Sequence, residues 1–171
     1  LALMGRHVKV FEALEVLGGL PAVAIPSYRL PRAVLARDIE YIRRAGVEME
    51  TGHRIRSLQE LREAGYDAIF VAVGAHRSLP LGIPGEDKPG VLDALAFLRD
   101  VSLGKIERLD GRVVVIGGGN AALDAARTAL RLGASPVTIL YRRTREEMPA
   151  IAEEIDSALA EGRHVLSEME S

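Results

Sequence analysis

The sequence predicts an α/β chain in which short parallel strands alternate with crossover helices, and three observations carry that reading. Residues 113–116, Val113-Val114-Val115-Ile116, form a continuous β-branched apolar run of the kind found in parallel strands covered by helices on both faces. Gly117, Gly118 and Gly119 end the run abruptly, and from Asn120 the apolar residues recur at helical spacing. Leu123, Ala126 and Leu130 fall on one face of that helix, Gly133 supplies a left-handed stop, and a second strand is expected over residues 137–141.

From the beginning of the chain, residues 1–5 read as the last turn of an amphipathic helix stopped by Gly5. Residues 7–12 form a strand that ends in Glu12, an acid where a dinucleotide fold reads a ribose. No glycine turn precedes it, so residues 1–12 are expected to be the second half of a βαβ unit. Gly18 and Gly19 are placed in a loop, and Pro21, Pro26 and Pro31 punctuate an irregular stretch past Tyr28 and Arg29. A helix with its stripe at Leu35, Ile39 and Ile42 ends at Gly46, and a strand follows over residues 47–55. Ser57 and Glu60 have capping-box spacing and open a short helix that stops at Gly65.

Residues 67–73, with AIFVAV at their centre, are expected to be a buried strand ended by Gly74, where backbone can approach a ligand closely. Residues 79–90 are a turn-rich loop, and Val91, Leu95 and Leu98 mark a helix closed by Gly104. Beyond the second strand, Glu146 and Glu147 suit the positive end of a helix that takes Pro149 in its first turn. Ile151, Ile155 and Leu159 would be its buried stripe, Gly162 its stop, and residues 164–167 the start of a third strand. The chain shows neither an internal repeat nor a low-complexity segment.

Bulk properties narrow the function classes. The 171 residues suffice for one medium domain or two small ones, and 48% apolar with 27% charged content is that of a soluble globular protein. No apolar run approaches the roughly 20 residues of a membrane span. The formal charge of −2 favours neither nucleic acid nor an anionic membrane as partner. Without cysteine these residues hold no disulfide, thiolate metal site or iron–sulfur ligand; a reducing compartment fits without being required, and a cytoplasmic location is the expectation. His7, His53, His76 and His164 lack ligand spacing and a paired nucleophile, and are read as structural.

The chemistry sits in the glycine turn. Gly117, Gly119 and Ala122 fit G-x-G-x-x-A in its required context of strand, turn and helix. The first glycine permits the tight turn, and the second lets the backbone approach a pyrophosphate without a Cβ in the way. Ala122 allows close contact between helix and strand, and the helix N-terminus offers free N–H groups to the phosphates.

The second strand decides which dinucleotide is expected. An NAD site usually ends this strand with an acid, whereas this chain has Tyr141, Arg142 and Arg143, with Arg145 close behind. Arg142 stands 25 positions beyond Gly117, near the spacing of the ribose-reading residue. Two guanidinium groups there suit a 2′-phosphate. The alternative is a solvated charge cluster balanced by Glu146 and Glu147.

VFEALEVLGGL, IPSYRLP, YDAIFVAVGA, IPGED, VIGGGNAALDAARTALRLGA and YRRTREEMPA together resemble, in the same order, the small subunit of NADPH-dependent glutamate synthase. The flavin and NADPH domains of dihydropyrimidine dehydrogenase are similar. The resemblance implies a Rossmann-like α/β fold: part of an FAD-binding domain over residues 1–106, then an NADP(H)-binding βαβ domain over residues 107–171. It implies that Glu12 binds the adenosine ribose of FAD, that Gly18, Gly19 and Leu20 pass near its phosphates, and that Arg29 lies beside the flavin. Ile55 would pack on the adenine side and Gly74 would sit by the diphosphate. Gly118, Gly119, Asn120 and Ala121, with Gly117 opening the turn, would hold the NADPH pyrophosphate, and Arg142 and Arg143 its 2′-phosphate.

Read without the resemblance, the alternatives are that Glu12 is a surface acid at a strand end and that Arg29 is a loop arginine capping carbonyls. The family's opening strand with its G-x-G-P-A-G turn, its closing segment and its iron–sulfur cysteines are expected to lie outside these residues. The implied function is electron transfer from NADPH through FAD to iron–sulfur centres of a partner domain or larger catalytic subunit. No catalytic base is visible, as suits chemistry carried by cofactors. Two other readings compete: a non-enzymatic NADP(H)-binding module, and a methyltransferase with a similar glycine turn, against which Arg142 and Arg143 argue.

Overall fold

The computed structural model describes residues 1–161 and the short strand Ser167–Glu168. The chain forms two compact units, Leu1–His76 and Arg77–Ser171.

In the first unit two parallel strands, β1 (Val8–Phe11) and β2 (Val47–Glu50), pair in register from Val8 opposite Val47 to Phe11 opposite Glu50. The crossover carries α1 (Gly19–Val23) and α2 (Arg32–Arg44). The two glycines expected in a loop therefore begin a helix. Gly18 is its N-cap at φ 112°, and a Cβ there would stand 3.0 Å from Leu35 Cδ2 and 3.1 Å from Ala22 Cβ. Only glycine lets α1 seat this closely on α2. Val23 is buried beneath it, while Ile42, expected in the apolar stripe of α2, is exposed.

The helix α3 (Leu58–Glu63) opens on the expected capping box of Ser57 and Glu60. Two strand expectations need correction. β2 stops at Glu50 rather than running to Ile55, because the paired ladder ends at Phe11 and Glu50, and beyond it the two segments are held by the irregular bonds of Gly52 N–H to Leu14 C=O and His53 N–H to Glu12 C=O. Residues 67–73 form no strand, and Phe70 and Val73 are 89% and 77% exposed. A strand exists only against a hydrogen-bonded neighbour, and among the described residues β1 and β2 pair only with each other.

The second unit is built on a parallel sheet ordered β3 (Val113–Ile116), β4 (Val137–Tyr141), β5 (Ser167–Glu168). β3 meets β4 in register from Val113 opposite Val137 to Ile116 opposite Leu140. The helices are α4 (Ala94–Ser102), α5 (Asn120–Arg131) and α6 (Ala152–Glu161). Ile139 and Val137 of central β4 are fully buried with Leu123 and Ala126 of α5 and Leu98 of α4. Since α4 shares this core, the division between compact units precedes the cofactor-domain boundary expected after residue 106.

Burial of β3 on both faces, as its apolar run suggests, is not observed. Val114 and Ile116 are 57% and 56% exposed, because among the described residues β3 meets the core through one face only, that of Val113 and Val115, which packs with α5. The helix expected from Val91 starts at Ala94 behind Asp93, whose carboxylate accepts the Ala96 N–H at 2.8 Å. Gly133 turns left-handed at φ 104° and Gly104 at φ 70°, as expected for helix stops.

Glu146 and Glu147 do not open α6. They lie in a 3-10 turn, Arg145–Glu147, with Thr144 and Glu147 forming a capping box. Met148 ahead of Pro149 is extended, with ψ 128°, as steric conflict with the proline ring demands, so the helix begins at Ala152. Ile155 and Ala158 are buried as its core face, whereas Ile151 is exposed. The expected stop at Gly162 and the strand residues 164–166 lie outside the described residues.

Candidate functional site

The turn between β3 and α5 is constructed around three glycines with different surroundings. Gly117 adopts φ 136°, and a Cβ there would meet Ala122 Cβ at 3.4 Å, so the pair brings the start of α5 close to the strand. Gly118 is buried, and a Cβ on it would stand 2.6 Å from Cδ2 of Tyr141. Gly119, the N-cap at φ −89° and ψ 171°, faces open space, with nothing within 4 Å of an added Cβ. The first amides satisfied by Gly119 C=O are those of Ala122 and Leu123, at 3.0 and 3.2 Å. The N–H groups of Gly118, Gly119, Asn120 and Ala121 find no acceptor among the described residues, which leaves them available to an anion.

The side chain of Asn120 is already engaged: its Oδ1 accepts the Ile151 N–H at 3.0 Å. Ala150 N–H donates to Gly118 C=O at 3.2 Å, so the segment ahead of α6 is tied to the turn twice.

Arg142 and Arg143 follow β4 directly and are exposed. Arg142 makes no hydrogen bond or ion pair with another described residue, and Arg143 has only a long 3.9 Å contact with Glu147. Arg145 instead pairs with Asp156 on α6. The Glu146 carboxyl is held below its usual range by a hydrogen bond from its own backbone amide and then by the Thr144 hydroxyl. The loop thus carries anionic as well as cationic groups, and Arg142 is its least committed cation. Pyrophosphate donors, an unobstructed Cβ direction at Gly119 and two accessible guanidinium groups fit a phosphorylated dinucleotide.

The candidate residues of the first unit are less concentrated. Glu12 stands at the carboxyl end of β1, its N–H donating to Glu50 C=O at 2.8 Å and its own C=O accepting the His53 N–H at 2.9 Å. One carboxylate oxygen accepts the Leu14 N–H at 2.8 Å, which fixes the side chain at the strand end. Gly19 faces open space at φ 58°, Leu20 C=O closes α1 by accepting from Ala24, and Arg29 lies in the turn after Pro26. Ile55 is half-buried past β2, and Gly74, at φ 68°, lies in the irregular segment where a strand was expected. Of these positions Glu12 presents a carboxylate at a strand end, the kind of group that reads a ribose. Gly18 already has a packing role against Leu35.

Two contacts escape sequence reasoning, the Tyr141 ring over Gly118 and the Asn120 bond to Ile151. The unexplained middle glycine of GGG was the available clue, since the dinucleotide motif itself leaves that position open.

Residues 9–164 match the family described as pyridine nucleotide-disulphide oxidoreductase. The NADP(+)-dependent formate dehydrogenase subunit beta of Moorella thermoacetica is 48% identical over 168 residues, covering 95% of this chain and 24% of that subunit. The NADPH-Fe(3+) oxidoreductase subunit beta of Geobacter sulfurreducens is also 48% identical, over 170 residues, covering 95% of this chain and 25% of that subunit. The glutamate synthase [NADPH] small chain of Halomonas elongata is 37% identical and is covered over 35% of its length by 90% of this chain. The chain thus spans about a quarter of the first two relatives. In fold it resembles Mycobacterium tuberculosis FprA in complex with NADPH, with a TM-score of 0.73 at 24% identity over 90% of this chain and 40% of that one.

Proposed function

The chain belongs to the pyridine nucleotide-disulphide oxidoreductase family, a family of FAD- and NAD(P)(H)-dependent enzymes, and on that premise we propose that it is the NADP(H)-reading part of an electron-transfer subunit. Its role is to bind NADPH and to deliver reducing equivalents, by way of FAD, to iron–sulfur centres of a partner domain or larger subunit in the cytoplasm. The observation that carries the proposal is the combination, within one unit, of amides at residues 118–121 and a guanidinium of Arg142 that have no partner among the described residues.

The amides of the turn would orient the pyrophosphate, aided by the positive end of α5, and Arg142 and Arg143 would select the 2′-phosphate. Glu12 would receive the adenosine ribose of FAD in the first unit. When bound, the nicotinamide supplies a hydride and the flavin accepts it, so the chain's task is binding and orientation. Among the described residues no group of acids or histidines could hold a metal ion, and no helix is long and apolar enough to cross a membrane. The relatives named as beta subunits support a partner subunit.

Anaerobic mixing of the intact protein with NADPH or NADH tests this reading. NADPH is expected to bleach the flavin absorbance at lower concentration than NADH. Bleaching by neither, or equally by both, would overturn it.

A further inference from the structure

Two guanidinium groups on an exposed loop discriminate a phosphate only if the loop is held in fixed relation to the turn that seats the rest of the dinucleotide. Residues 142–147 are fastened at both ends. Tyr141, the last residue of β4, lays its ring against Gly118 and donates its hydroxyl to Glu147 C=O at 3.0 Å, closing the base of the loop. Met148, one residue further, is buried in the core of the unit. Ala150 N–H and Ile151 N–H then return to the glycine turn, through Gly118 C=O and Asn120 Oδ1.

We propose that Tyr141 and Asn120 are positioning residues for 2′-phosphate recognition, together latching the Arg142–Arg143 loop to the pyrophosphate turn. The inference rests on the NADP(H) reading and adds to it residues that need not touch the phosphate. Tyr141 acts through its hydroxyl on the loop that carries the arginines. Asn120 acts through its side chain on Ile151, while its backbone N–H remains directed to the ligand. Loss of either bond removes one of the ties that hold the loop against the turn, so the loop should sample more positions, and NADP+ should lose affinity while NAD+, which has no 2′-phosphate to place, is spared that part of the loss.

The test is titration of NADP+ and NAD+ against the intact protein and the variants Tyr141→Phe, Asn120→Ala and Asn120→Asp, scored as the ratio of the two dissociation constants. Each of the first two should lower the preference for NADP+ by about three- to tenfold, the equivalent of one net hydrogen bond. Asn120→Asp keeps an acceptor for Ile151 N–H, so its preference should return toward wild type even if its charge weakens both ligands. A purely structural role would weaken both ligands together and leave the ratio unchanged, which would overturn the latch. A wild type that binds the two alike would overturn the NADP(H) reading and, with it, this inference.

Discussion

Tyr141 occupies the space that a side chain on Gly118 would need, its Cδ2, Cε2 and Cγ lying 2.6, 2.7 and 2.9 Å from an ideal Cβ there. The middle glycine of the turn is therefore dictated by the end of the neighbouring strand. β3 and β4 are in parallel register up to Ile116 and Leu140, which brings the residues just past each strand together.

Gly118→Ala should accordingly destabilise the second unit by about 1–3 kcal/mol, the usual cost of overpacking. Chemical denaturation would measure it. In a double variant with Tyr141→Leu the loss should be smaller than the sum, because the two residues share one space.

Gly119→Val should behave in the opposite way. The backbone at φ −89° and ψ 171° admits a branched residue, and nothing lies within 4 Å of its Cβ, so the fold should survive with only the modest loss of a poorer N-cap. The new side chain stands where a pyrophosphate must approach, and NADP+ affinity should fall by more than about tenfold in a calorimetric titration. Unchanged affinity would place the ligand elsewhere.

Replacing both Arg142 and Arg143 by alanine should weaken NADPH by roughly thirty- to several-hundred-fold and NADH little, since bonds to charged groups are the strong ones and partial exposure moderates them. Raised salt should erode the wild-type preference. Arg142→Lys should recover only part, because an ammonium lacks the planar fork. Equal losses for the two cofactors would assign the arginines to the fold or the pyrophosphate.

Acid should loosen the contact between α5 and α6. Arg127, almost buried, donates to Glu161 at 2.7 and 3.0 Å and pairs also with Glu154, while Arg131 donates to Glu161 at 2.7 and 2.8 Å. Bonds from Arg131 and then Arg127 lower the Glu161 carboxyl from 4.5 to about 2. A depressed carboxyl contributes stability that is complete above its unfolded value and disappears as pH falls through the folded one, so this contribution should vanish between about pH 4.5 and 2. Glu161→Gln should lower stability at neutral pH and flatten the dependence in that window, as followed by thermal melting.

The local chemistry of the second unit was legible in the sequence because it is written in short range. A β-branched run, a glycine turn, a helical period and a second run leave few alternatives, and the observed β3, α5 and β4 follow them residue for residue. The position of Arg142 beyond β4 was likewise a matter of counting. What only the tertiary structure decided depends on neighbours that are distant in sequence. Residues 67–73 had the composition of a strand but no ladder to join, and Val114 and Ile116 are exposed because the described core covers only the opposite face of β3, at Val113 and Val115. Pro149 read as a helix start until Met148, forced extended before it, delayed α6 to Ala152. Propensity describes what a segment can become, whereas hydrogen-bond partners and packing faces determine what it is. The same reason kept Tyr141 and Asn120 out of the sequence reading, since each acts through a contact with Gly118, Glu147 or Ile151 that exists only once the strands and α6 are assembled.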